Sequence, residues 1–299
     1  MIGGVFLSRT LEGLTVALIG GDEREIVLCA ELQRLGARVL AVGFPESRLP
    51  GAVHCRLLPA AEEARAAVVP LSGTDDRGVI KTCLCKPGSL VLTEEAFRAM
   101  AGKVLLIGSA KPAIRQLAGY YNVRLIETAE NDEIAILNSI PTAEGAIAKA
   151  MAELPITLHG SNCIVTGFGR CGITLARMLA GIGAAVTVAA RNPAQLARAK
   201  EMGLATAELK YLAEAVGTAD CLFNTIPDLV ITAQVIAALP PSALIIDIAS
   251  APGGTDFQAA KMRGIKAFHE LGIPGKVAPL TAGRILADVI PRLILAACS

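Results

Sequence analysis

The chain contains no tryptophan, and only 3% of its 299 residues are aromatic, although 53% are hydrophobic. Its cores must therefore be built from alanine, valine, isoleucine and leucine, a composition typical of parallel sheets covered by helices. The formal net charge is only +1, so the chain has no overall excess of positive charge with which to bind a nucleic-acid backbone. We therefore expect an α/β protein that does not bind nucleic acid.

Long apolar runs are also missing, although the mean hydropathy is +0.54. A membrane-spanning helix needs about eighteen or more apolar residues, and the longest run here, Met178 to Ala190, contains two glycines and is typical of a helix end followed by a strand. The first residues, MIGGVFLSRTLEG, lack the basic region and the apolar stretch of a signal peptide. We expect a cytoplasmic protein without membrane contact.

Clusters of cysteine and histidine are absent too. The eight cysteines are scattered through periodic segments, which predicts reduced, mostly buried thiols and no disulfides. Cys83 and Cys85 form a single C-x-C pattern with no second pair and no nearby histidine, so we interpret them as packing residues and predict no metal site. No Ser-His-Asp order or kinase loop indicates a hydrolase or a kinase.

Short apolar runs alternate with helical patterns in both halves of the chain, which is typical of βαβ units. Each half contains five predicted strands. These are Thr15–Gly20, Arg38–Val42, Ala66–Leu71, Val104–Gly108 and Val123–Glu127 in the first half, and Asn162–Gly167, Ala185–Ala190, Cys221–Thr225, Ala243–Ile248 and Lys266–His269 in the second. The predicted fold class is α/β, with two Rossmann-like, doubly wound lobes and a cleft between them.

Two domains are expected from this pattern. Residues 1–150 would form a Rossmann-like domain that binds the substrate or a partner, and residues 151–299 an NADP-binding Rossmann domain. An alanine-rich helix is predicted from Thr142 to Glu153, where it would bridge the lobes. The final helix, Gly283 to Ala297, would pack back on the first lobe, although Pro291 disfavours its second half.

The segment CIVTGFGRCGITLARMLAGIGAAVTVAAR, residues 163–191, contains a G-x-G-x-x-G pattern. Gly167, Gly169 and Gly172 follow a predicted strand and open a predicted helix. In that context the first glycine permits a tight turn, the second lets a pyrophosphate approach the backbone, and the third lets helix and strand pack closely. The helix N-terminus then faces the phosphates. We predict a dinucleotide site here; the alternative is a purely structural glycine turn.

The first half repeats this unit in a different form. VALIGGDEREIVLCAELQRLGARVLAVGF can be laid on the later segment so that Gly20 meets Gly167. The second and third glycine positions are then occupied by Asp22 and Glu25, and Glu23 adds a further acid. A carboxylate there would occupy the phosphate space and repel its charge. The sequence therefore predicts one dinucleotide per chain, bound by the C-terminal lobe.

The residue at the end of the second strand of this lobe indicates the type of cofactor. NAD sites usually place an acid there for the ribose 2′-hydroxyl, whereas an arginine suits the 2′-phosphate of NADP. This chain has Arg191, followed by Asn192 and later by Arg198. A guanidinium can bind phosphate through two hydrogen bonds, so NADP is favoured over NAD. A solvated charge at a strand end is the alternative.

Other cofactor contacts are expected in NTIP, DIASAPGG and LGIPGKVAP, because ligands of open α/β sheets lie outside the carboxyl ends of the strands. Glycine and proline are also ordinary turn residues at such places. The predicted cofactor-binding residues are Gly167, Phe168, Gly169, Arg170, Cys171, Gly172, Arg191, Asn192, Asn224, Thr225, Ile226, Pro227 and Ser250, with Pro274 beside the nicotinamide half.

Candidate substrate contacts come from LSGTDDRG, GSAK and ENDEIAILNSIPTAEG. The first two segments offer hydroxyls and backbone N–H groups that suit a small anion, and the third places polar residues in an otherwise apolar stretch. Helix capping is the alternative role for several of them. The predicted substrate-binding residues are Ser72, Ser109, Asn138, Ser139 and Thr142.

Five motifs, ENDEIAILNSIPTAEG, TLHGSNCIVTGFGRCG, FNTIP, IIDIASAPGGTDF and GIPGKVAPLTAGRIL, resemble those of the dipicolinate synthase A-subunit family of spore-forming bacteria. The resemblance runs over nearly the whole chain. It implies an oxidoreductase of the mother-cell cytoplasm that works during sporulation with the flavoprotein-like B subunit of dipicolinate synthase. Its reaction would convert a dihydrodipicolinate-type intermediate of the lysine pathway, a small dicarboxylate, into dipicolinate with NADP. Self-association is left open.

Under this resemblance we expect the nicotinamide near residues 224–227 and the substrate carboxylates at Ser139 and Thr142, while Asp132, Glu144 or His159 accepts the ring proton. Two other functions remain as alternatives. A shikimate-type NADP dehydrogenase of another small carboxylate would show a Lys and Asp pair in the first lobe, which we do not find. A non-enzymatic NADP(H) sensor would bind the cofactor and turn nothing over.

Overall fold

The computed structural model describes residues 10–82, 84–86 and 88–299. The chain divides into two compact units, which we call the first unit (Met1–Leu137 with Ala278–Ser299) and the second unit (Asn138–Val277). This division comes earlier in the chain than the boundary at residue 150 expected from the sequence, and it assigns the last segment to the first unit. The roles assigned to the two domains stay predictions.

The first unit is built on a six-stranded parallel sheet in the order β3-β2-β1-β4-β5-β6. Valine, leucine, isoleucine and alanine bury both faces of its central strands, as expected for a parallel sheet. Its strands are β1 Thr15–Ile19, β2 Arg38–Val42, β3 Val53–His54, β4 Ala66–Val68, β5 Val104–Ile107 and β6 Arg124–Glu127, and its helices are α1 Glu23–Arg34, α2 Leu57–Glu63, α3 Glu94–Ala99, α4 Pro112–Tyr120 and, at the C-terminus, α12 Pro279–Cys298.

The second unit repeats this architecture with the order β12-β11-β10-β7-β8-β9, again all parallel. Its strands are β7 Asn162–Thr166, β8 Ala185–Ala190, β9 Ala205–Glu208, β10 Cys221–Asn224, β11 Leu244–Asp247 and β12 Lys266–His269. Its helices are α6 Arg170–Ile182, α7 Pro193–Glu201, α8 Leu212–Ala215, α9 Ala233–Ala238, α10 Phe257–Arg263 and α11 Ile273–Val277, while α5 Asp132–Glu153 runs from the first unit into the second.

The predicted α/β class and the two Rossmann-like units are confirmed. All ten predicted strands are present, and several end a residue or more earlier than expected. Strands β3 and β9 were not predicted. Strand β3 has only two residues, and β9 is mostly exposed with the sequence ATAE, so neither shows the apolar run of a buried strand.

Helix α5 is longer than the helix predicted from Thr142 to Glu153. It begins at Asp132, where the Asn131 side chain accepts a hydrogen bond from the Ile134 N–H at 3.0 Å, and it continues through Pro141. The proline and the polar residues before it disfavour a helix locally. The packing of apolar residues on both sides of Pro141 outweighs that preference.

The C-terminal helix α12 packs against α1 within the first unit. A Cβ atom built on Gly283 would lie 2.7 Å from the Cβ of Val27, so glycine is what permits this close approach. The helix continues past Pro291 to Cys298, and Arg292 forms an ion pair with Glu133 at 2.6 Å. The second half, which Pro291 disfavoured in the sequence, is therefore helical.

The seven cysteines that the structure describes are unpaired thiols, and Cys29, Cys163 and Cys221 are buried. Cys83, half of the C-x-C pattern, lies outside the described residues. Within the described ranges, no group of three or more His, Cys, Asp or Glu residues comes together as a metal site. Nor does any described helix have the length and hydropathy needed to cross a membrane.

Candidate functional site

A crevice of about 510 Å³ opens at the carboxyl ends of β7, β8, β10 and β11 in the second unit. Strands β8 and β10 lie on opposite sides of β7, so the strand order reverses here. Open α/β sheets bind their ligands at such a switch point. The crevice is lined by residues 167–171, 190–192, 195, 225–227 and 248–250. It therefore collects most of the predicted cofactor-binding residues.

The three glycines of the G-x-G-x-x-G pattern have different roles here. Gly167 has φ +86°, and a Cβ on it would lie 2.5 Å from the Thr225 hydroxyl oxygen. A Cβ on Gly172 would overlap the carbonyl oxygen of Gly167. On Gly169 a Cβ would meet no described atom within 4 Å, because this residue faces the crevice. The first and third glycines thus permit the turn, and the second leaves room for a phosphate.

Helix α6 begins at this turn, beside the crevice. Gly169 is the N-cap residue and gives no side-chain cap, so no capping carboxylate offsets the positive dipole end of the helix, which favours an anion there. Arg170 and Cys171 line the crevice beside them. Burial raises the pKa of the Cys171 thiol, so this residue is a neutral wall residue at physiological pH.

Arg191 lies at the mouth of the crevice, directly after β8. Its side chain is 73% exposed and its Nη2 lies 3.9 Å from Oδ2 of Asp228, an ion pair that solvent makes weak. Asn192 also lines the crevice, while its Oδ1 caps α7 by accepting from the Ala194 N–H at 2.9 Å. Arg198 lies on α7 outside the lining residues and pairs with Glu201.

Asn224 supports the crevice wall from behind and does not line it. The residue is fully buried. Its Oδ1 accepts from the Thr166 hydroxyl at 2.6 Å and from the Ile226 N–H at 3.1 Å, and its Nδ2 donates to Oδ1 of Asp247 at 2.9 Å. These bonds position the Thr225–Pro227 turn, and the predicted contact between Asn224 and the cofactor stays a prediction.

Asp247 supports the wall of the crevice and was not predicted from the sequence. It is fully buried at the end of β11. Besides the bond from Asn224, it accepts hydrogen bonds from the Ala249 N–H at 3.0 Å, the Gly254 N–H at 2.8 Å and the Thr255 hydroxyl at 2.7 Å. These bonds hold the DIASAPGG segment in place. In the sequence, the signal for this residue was an acidic side chain at the end of an otherwise apolar strand.

His159 lies at the opposite edge of this sheet. It precedes β7, and its Nδ1 is 3.0 Å from the carbonyl oxygen of Ile182 at the end of α6. The five residues of β7 span roughly 17 Å and separate this amino edge from the crevice. His159 therefore contacts the C-terminal end of α6, away from the crevice, and its assignment as the acceptor of the ring proton stays a prediction.

The two other candidate proton acceptors lie on α5. Asp132 is exposed at the start of the helix, in the first unit, and Glu144 is exposed farther along it, in the second unit. Their assignment stays a prediction.

One predicted substrate residue of the second unit, Ser139, contacts α6. The Ser139 hydroxyl lies 2.6 Å from that of Thr174 on α6, and Thr174 donates to the carbonyl of Arg170 at 3.3 Å. Thr142 donates to the carbonyl of Asn138 at 2.8 Å. Helix α5 therefore contacts the N-terminal part of α6.

The predicted substrate residues of the first unit follow β4 and β5. Ser72 and Ser109 are both exposed, and the Ser72 hydroxyl donates to the carbonyl of Lys81 at 3.3 Å. Their contact with a substrate stays a prediction.

The equivalent crevice of the first unit is closed at the N-terminus of α1. Asp22 is the N-cap residue, accepting from the Arg24 N–H at 3.0 Å, while Glu25 accepts from the Asp22 N–H at 2.8 Å. Burial raises the pKa of Glu25 to about 7, although Arg24 opposes the shift. Burial alone would raise the pKa of Asp22, but the hydrogen bond from Arg24 lowers it. This helix end is therefore capped by its own carboxyl groups.

The chain between β4 and α3 also fills this crevice. A Cβ on Gly20 would lie 3.2 Å from both Ile80 and Leu90. The Thr82 hydroxyl accepts from the Gly21 N–H at 3.1 Å and donates to the Gly21 carbonyl at 2.9 Å. Apolar side chains and a hydroxyl therefore occupy the space that is open in the second unit.

Comparison with known proteins identifies the family. Residues 15–129 match the model described as the N-terminal domain of the dipicolinate synthase A subunit, and residues 139–253 match that of the D-isomer specific 2-hydroxyacid dehydrogenase NAD binding domain. The A subunit of dipicolinate synthase from Bacillus subtilis (strain 168) is 39% identical over 288 residues, 95% of this chain and 97% of that protein. The chain belongs to the dipicolinate synthase A-subunit family.

Solved structures agree with this placement. The crystal structure of the dipicolinate synthase A subunit from Bacillus halodurans has a TM-score of 0.91 and 41% identity, covering 95% of this chain and 99% of that one. The corresponding crystal structure from Bacillus subtilis gives 0.89 and 38%, covering 96% and 98%. The resemblance inferred from the motifs is confirmed. This member of the dipicolinate synthase A-subunit family is a dehydrogenase-type oxidoreductase with a nicotinamide cofactor.

Proposed function

We propose that this protein oxidises a dihydrodipicolinate-type intermediate of the lysine pathway to dipicolinate, with NADP⁺ as the cofactor, in the cytoplasm of the mother cell during sporulation. The open crevice of the second unit carries the proposal, because it combines a bare glycine turn, an uncapped helix N-terminus and Arg191 at its mouth. The name of the Bacillus subtilis relative supports the choice of product.

The residues of the crevice fit this cofactor. The turn from Gly167 to Gly169 and the first N–H groups of α6 would hold the pyrophosphate, and Arg191 would bind the 2′-phosphate. Thr225–Pro227 and Ser250 would line the nicotinamide half of the site. When bound, NADP⁺ would supply the hydride acceptor, and loss of the hydride and a proton would make the substrate ring aromatic.

The chain itself would bind and orient the substrate and move one proton. The proposed contacts to the two substrate carboxylates are Ser72, Ser109, Ser139 and Thr142. Asp132 or Glu144 would accept the ring proton, since both are exposed carboxylates able to act as bases. An Asp132→Asn or a Glu144→Gln variant that keeps full turnover would remove that residue from the assignment.

We also propose a partner. The Bacillus subtilis relative is named as one subunit of dipicolinate synthase, and the resemblance implies that the flavoprotein-like B subunit completes the enzyme. The activity should therefore be measured with and without that second subunit.

The deciding experiment mixes the purified chain, NADP⁺ and the enzymatically generated lysine-pathway intermediate, with and without the B subunit. Ultraviolet absorbance reports the aromatic acid, and NADPH is followed in parallel. We expect the two products in equal amounts. Tight binding of NADPH with no turnover, even when the B subunit is present, would instead identify a cofactor sensor.

Cofactor choice is tested by the Arg191→Ala variant. We expect its affinity for NADP⁺ to fall about tenfold or more, because hydrogen bonds between charged groups contribute roughly 1.5–3 kcal/mol. The affinity for NAD⁺ should stay unchanged in the same calorimetric titrations. Arg198→Ala is the matched control, since that arginine lies outside the crevice. An equal loss for both cofactors would contradict the assignment of Arg191 to the 2′-phosphate.

A further inference from the structure

Asn138 is a buried side chain whose two polar atoms have no partner among the described residues. The residue is 7% exposed, and neither Oδ1 nor Nδ2 forms a hydrogen bond within the described part of the chain. A buried amide left unpaired is unfavourable, and such groups are rare in folded proteins. An unpaired group of this kind is explained if a ligand completes its hydrogen bonds.

The course of α5 places Asn138 at the carboxyl edge of the second unit's sheet. The helix ends at Glu153 and leads into β7, which begins at the amino edge. Later residues of α5, including Ala146 and Ala150, pack in one core cluster with Cys163 of β7. The helix therefore runs back along the sheet against the strand direction, and its earlier residues lie at the edge where the crevice opens.

Contacts made by residues near Asn138 on α5 show which elements of the second unit surround it. The next residue, Ser139, touches Thr174, which bonds the carbonyl of the crevice residue Arg170. Seven residues after Asn138, about two helical turns along the same face, a Cβ on Gly145 would overlap Ile273 of α11. Helix α5 thus contacts the N-terminal part of α6 through Ser139 and α11 through Gly145.

This position lies on the side of the switch point away from Arg191. Arg191 follows β8, whereas α11 follows β12, and these strands lie on opposite sides of β7. A dinucleotide spans such a switch point. With the 2′-phosphate at Arg191, the nicotinamide half extends toward the side where Asn138 lies.

The chemistry of the side chain selects the group that it binds. The Asn138 amide offers a donor at Nδ2 and an acceptor at Oδ1. A substrate carboxylate would pair only with Nδ2 and would leave Oδ1 buried and unpaired. The carboxamide of nicotinamide carries both a carbonyl and an NH₂ group, so it can pair with both atoms.

We infer that Asn138 binds the carboxamide of the nicotinamide ring and thereby holds the ring in one orientation. The assignment replaces the substrate contact that the sequence suggested for this residue. It rests on the proposed function, since it requires a nicotinamide dinucleotide in the crevice. Removal of the amide should then affect the nicotinamide end of the cofactor alone.

The Asn138→Leu variant tests this assignment, because we expect it to weaken NADP⁺ binding without lowering the stability of the free protein. Without ligand, its unfolding temperature should equal or exceed that of the wild type, because an unpaired polar group has been removed. Its affinity for NADP⁺ should fall about tenfold through the loss of two hydrogen bonds. Its affinity for 2′-phospho-ADP-ribose, which has no nicotinamide, should stay the same. Asn162→Leu is the matched control, since Asn162 is exposed at the amino edge of the same sheet.

A cofactor analogue provides a second measurement. The 3-acetylpyridine analogue of NADP⁺ replaces the NH₂ group by a methyl group, so the wild type should bind it more weakly than NADP⁺. Asn138→Leu should bind the two equally. Retained discrimination in the variant would overturn the inference.

Three other results would also overturn it. Equal losses for NADP⁺ and 2′-phospho-ADP-ribose with a lower unfolding temperature would show a structural role. Unchanged NADP⁺ affinity with a higher KM for the substrate would show a carboxylate contact. Greater stability with unchanged binding of both ligands would show that the amide is unpaired but does not bind the cofactor. The same titrations are made with NAD⁺ and ADP-ribose. A preference of the wild type for NAD⁺ would contradict the choice of NADP⁺, but Asn138 could still be tested by comparing NAD⁺ with ADP-ribose.

Discussion

The two units have the same strand order, in which β1, β2 and β4 of the first correspond to β7, β8 and β10 of the second. They differ in the chain that follows the third of these strands. In the second unit residues 225–232 connect β10 to α9, and the crevice stays open. In the first unit the longer segment 69–93 connects β4 to α3 and places Ile80 and Leu90 over Gly20. One sheet therefore supports either an open or a filled crevice, depending on a loop.

The helix that begins at the crevice differs as well. In the first unit Asp22 caps α1 and Glu25 accepts from the Asp22 N–H, whereas Gly169 gives α6 no side-chain cap. Carboxylates at a helix N-terminus bond some of its free N–H groups, offset its positive dipole end and repel a phosphate. The carboxyl groups at the start of α1 and the segment between β4 and α3 thus both close the first crevice.

We expect the largest effect on NADP⁺ binding when the second unit receives an aspartate at the position that Asp22 has in the first unit. Gly169→Asp places a carboxylate where a Cβ meets no described atom, so the fold should tolerate it. We expect NADP⁺ binding to fall about 100-fold or more, because the new side chain caps α6 and repels the pyrophosphate. Calorimetric titration measures the loss.

The matched control is Gly169→Ala, which adds bulk without charge and should weaken binding only a few-fold. Asp is also a favoured N-cap residue, so the aspartate variant should unfold at the same or a slightly higher temperature. If Gly169→Asp binds NADP⁺ as tightly as the wild type, the charge contrast between the units does not decide binding.

The buried carboxyl of the first unit should make stability depend on pH. The pKa of Glu25 is raised from 4.5 to about 7 by burial, so the folded chain holds its proton more tightly than the unfolded chain. Stability is then present at low pH and lost as pH rises from about 4.5 to about 7. Glu25→Gln cannot lose a proton, so its advantage over the wild type should grow across this window, by at most roughly 3 kcal/mol.

Thermal unfolding at about pH 4.5 and about pH 8 measures this difference. Glu23→Gln is the control, because its carboxylate is exposed in the same helical turn and pairs with Arg48. A constant difference between Glu25→Gln and the wild type at both pH values would show that Glu25 does not hold its proton in the folded state.

The smallest expected effect concerns the loop that fills the first crevice. Thr82→Val keeps the shape of the side chain but removes its two hydrogen bonds to Gly21. We expect a loss of about 1–2 kcal/mol in the stability of the first unit, seen in thermal unfolding, and no change in NADP⁺ affinity or stoichiometry. A second bound dinucleotide in this variant would mean that the loop alone kept the first crevice closed.

Much of the fold and of the candidate cofactor site could be predicted from the sequence. The strands were recognisable because buried parallel strands are short, continuous apolar runs. Gly167, Gly169 and Gly172 were recognisable because backbone conformation and close packing at such a turn require glycine at fixed spacing. The substrate residues were harder to predict, since serine, threonine and asparagine serve equally as helix caps and as ligands.

The sequence by itself determined the two α/β units, the position of the glycine turn and the arginine after the second strand of the second unit, because these depend on local periodicity and spacing along the chain. Only the tertiary structure decided that Ile80, Thr82 and Leu90 fill the first crevice, that Asp247 supports the second, that His159 lies at the amino edge of its sheet and that Asn138 is buried without a partner among the described residues. Each of these depends on contacts between residues distant in sequence, or on how such contacts bury a side chain, and neither follows from local pattern.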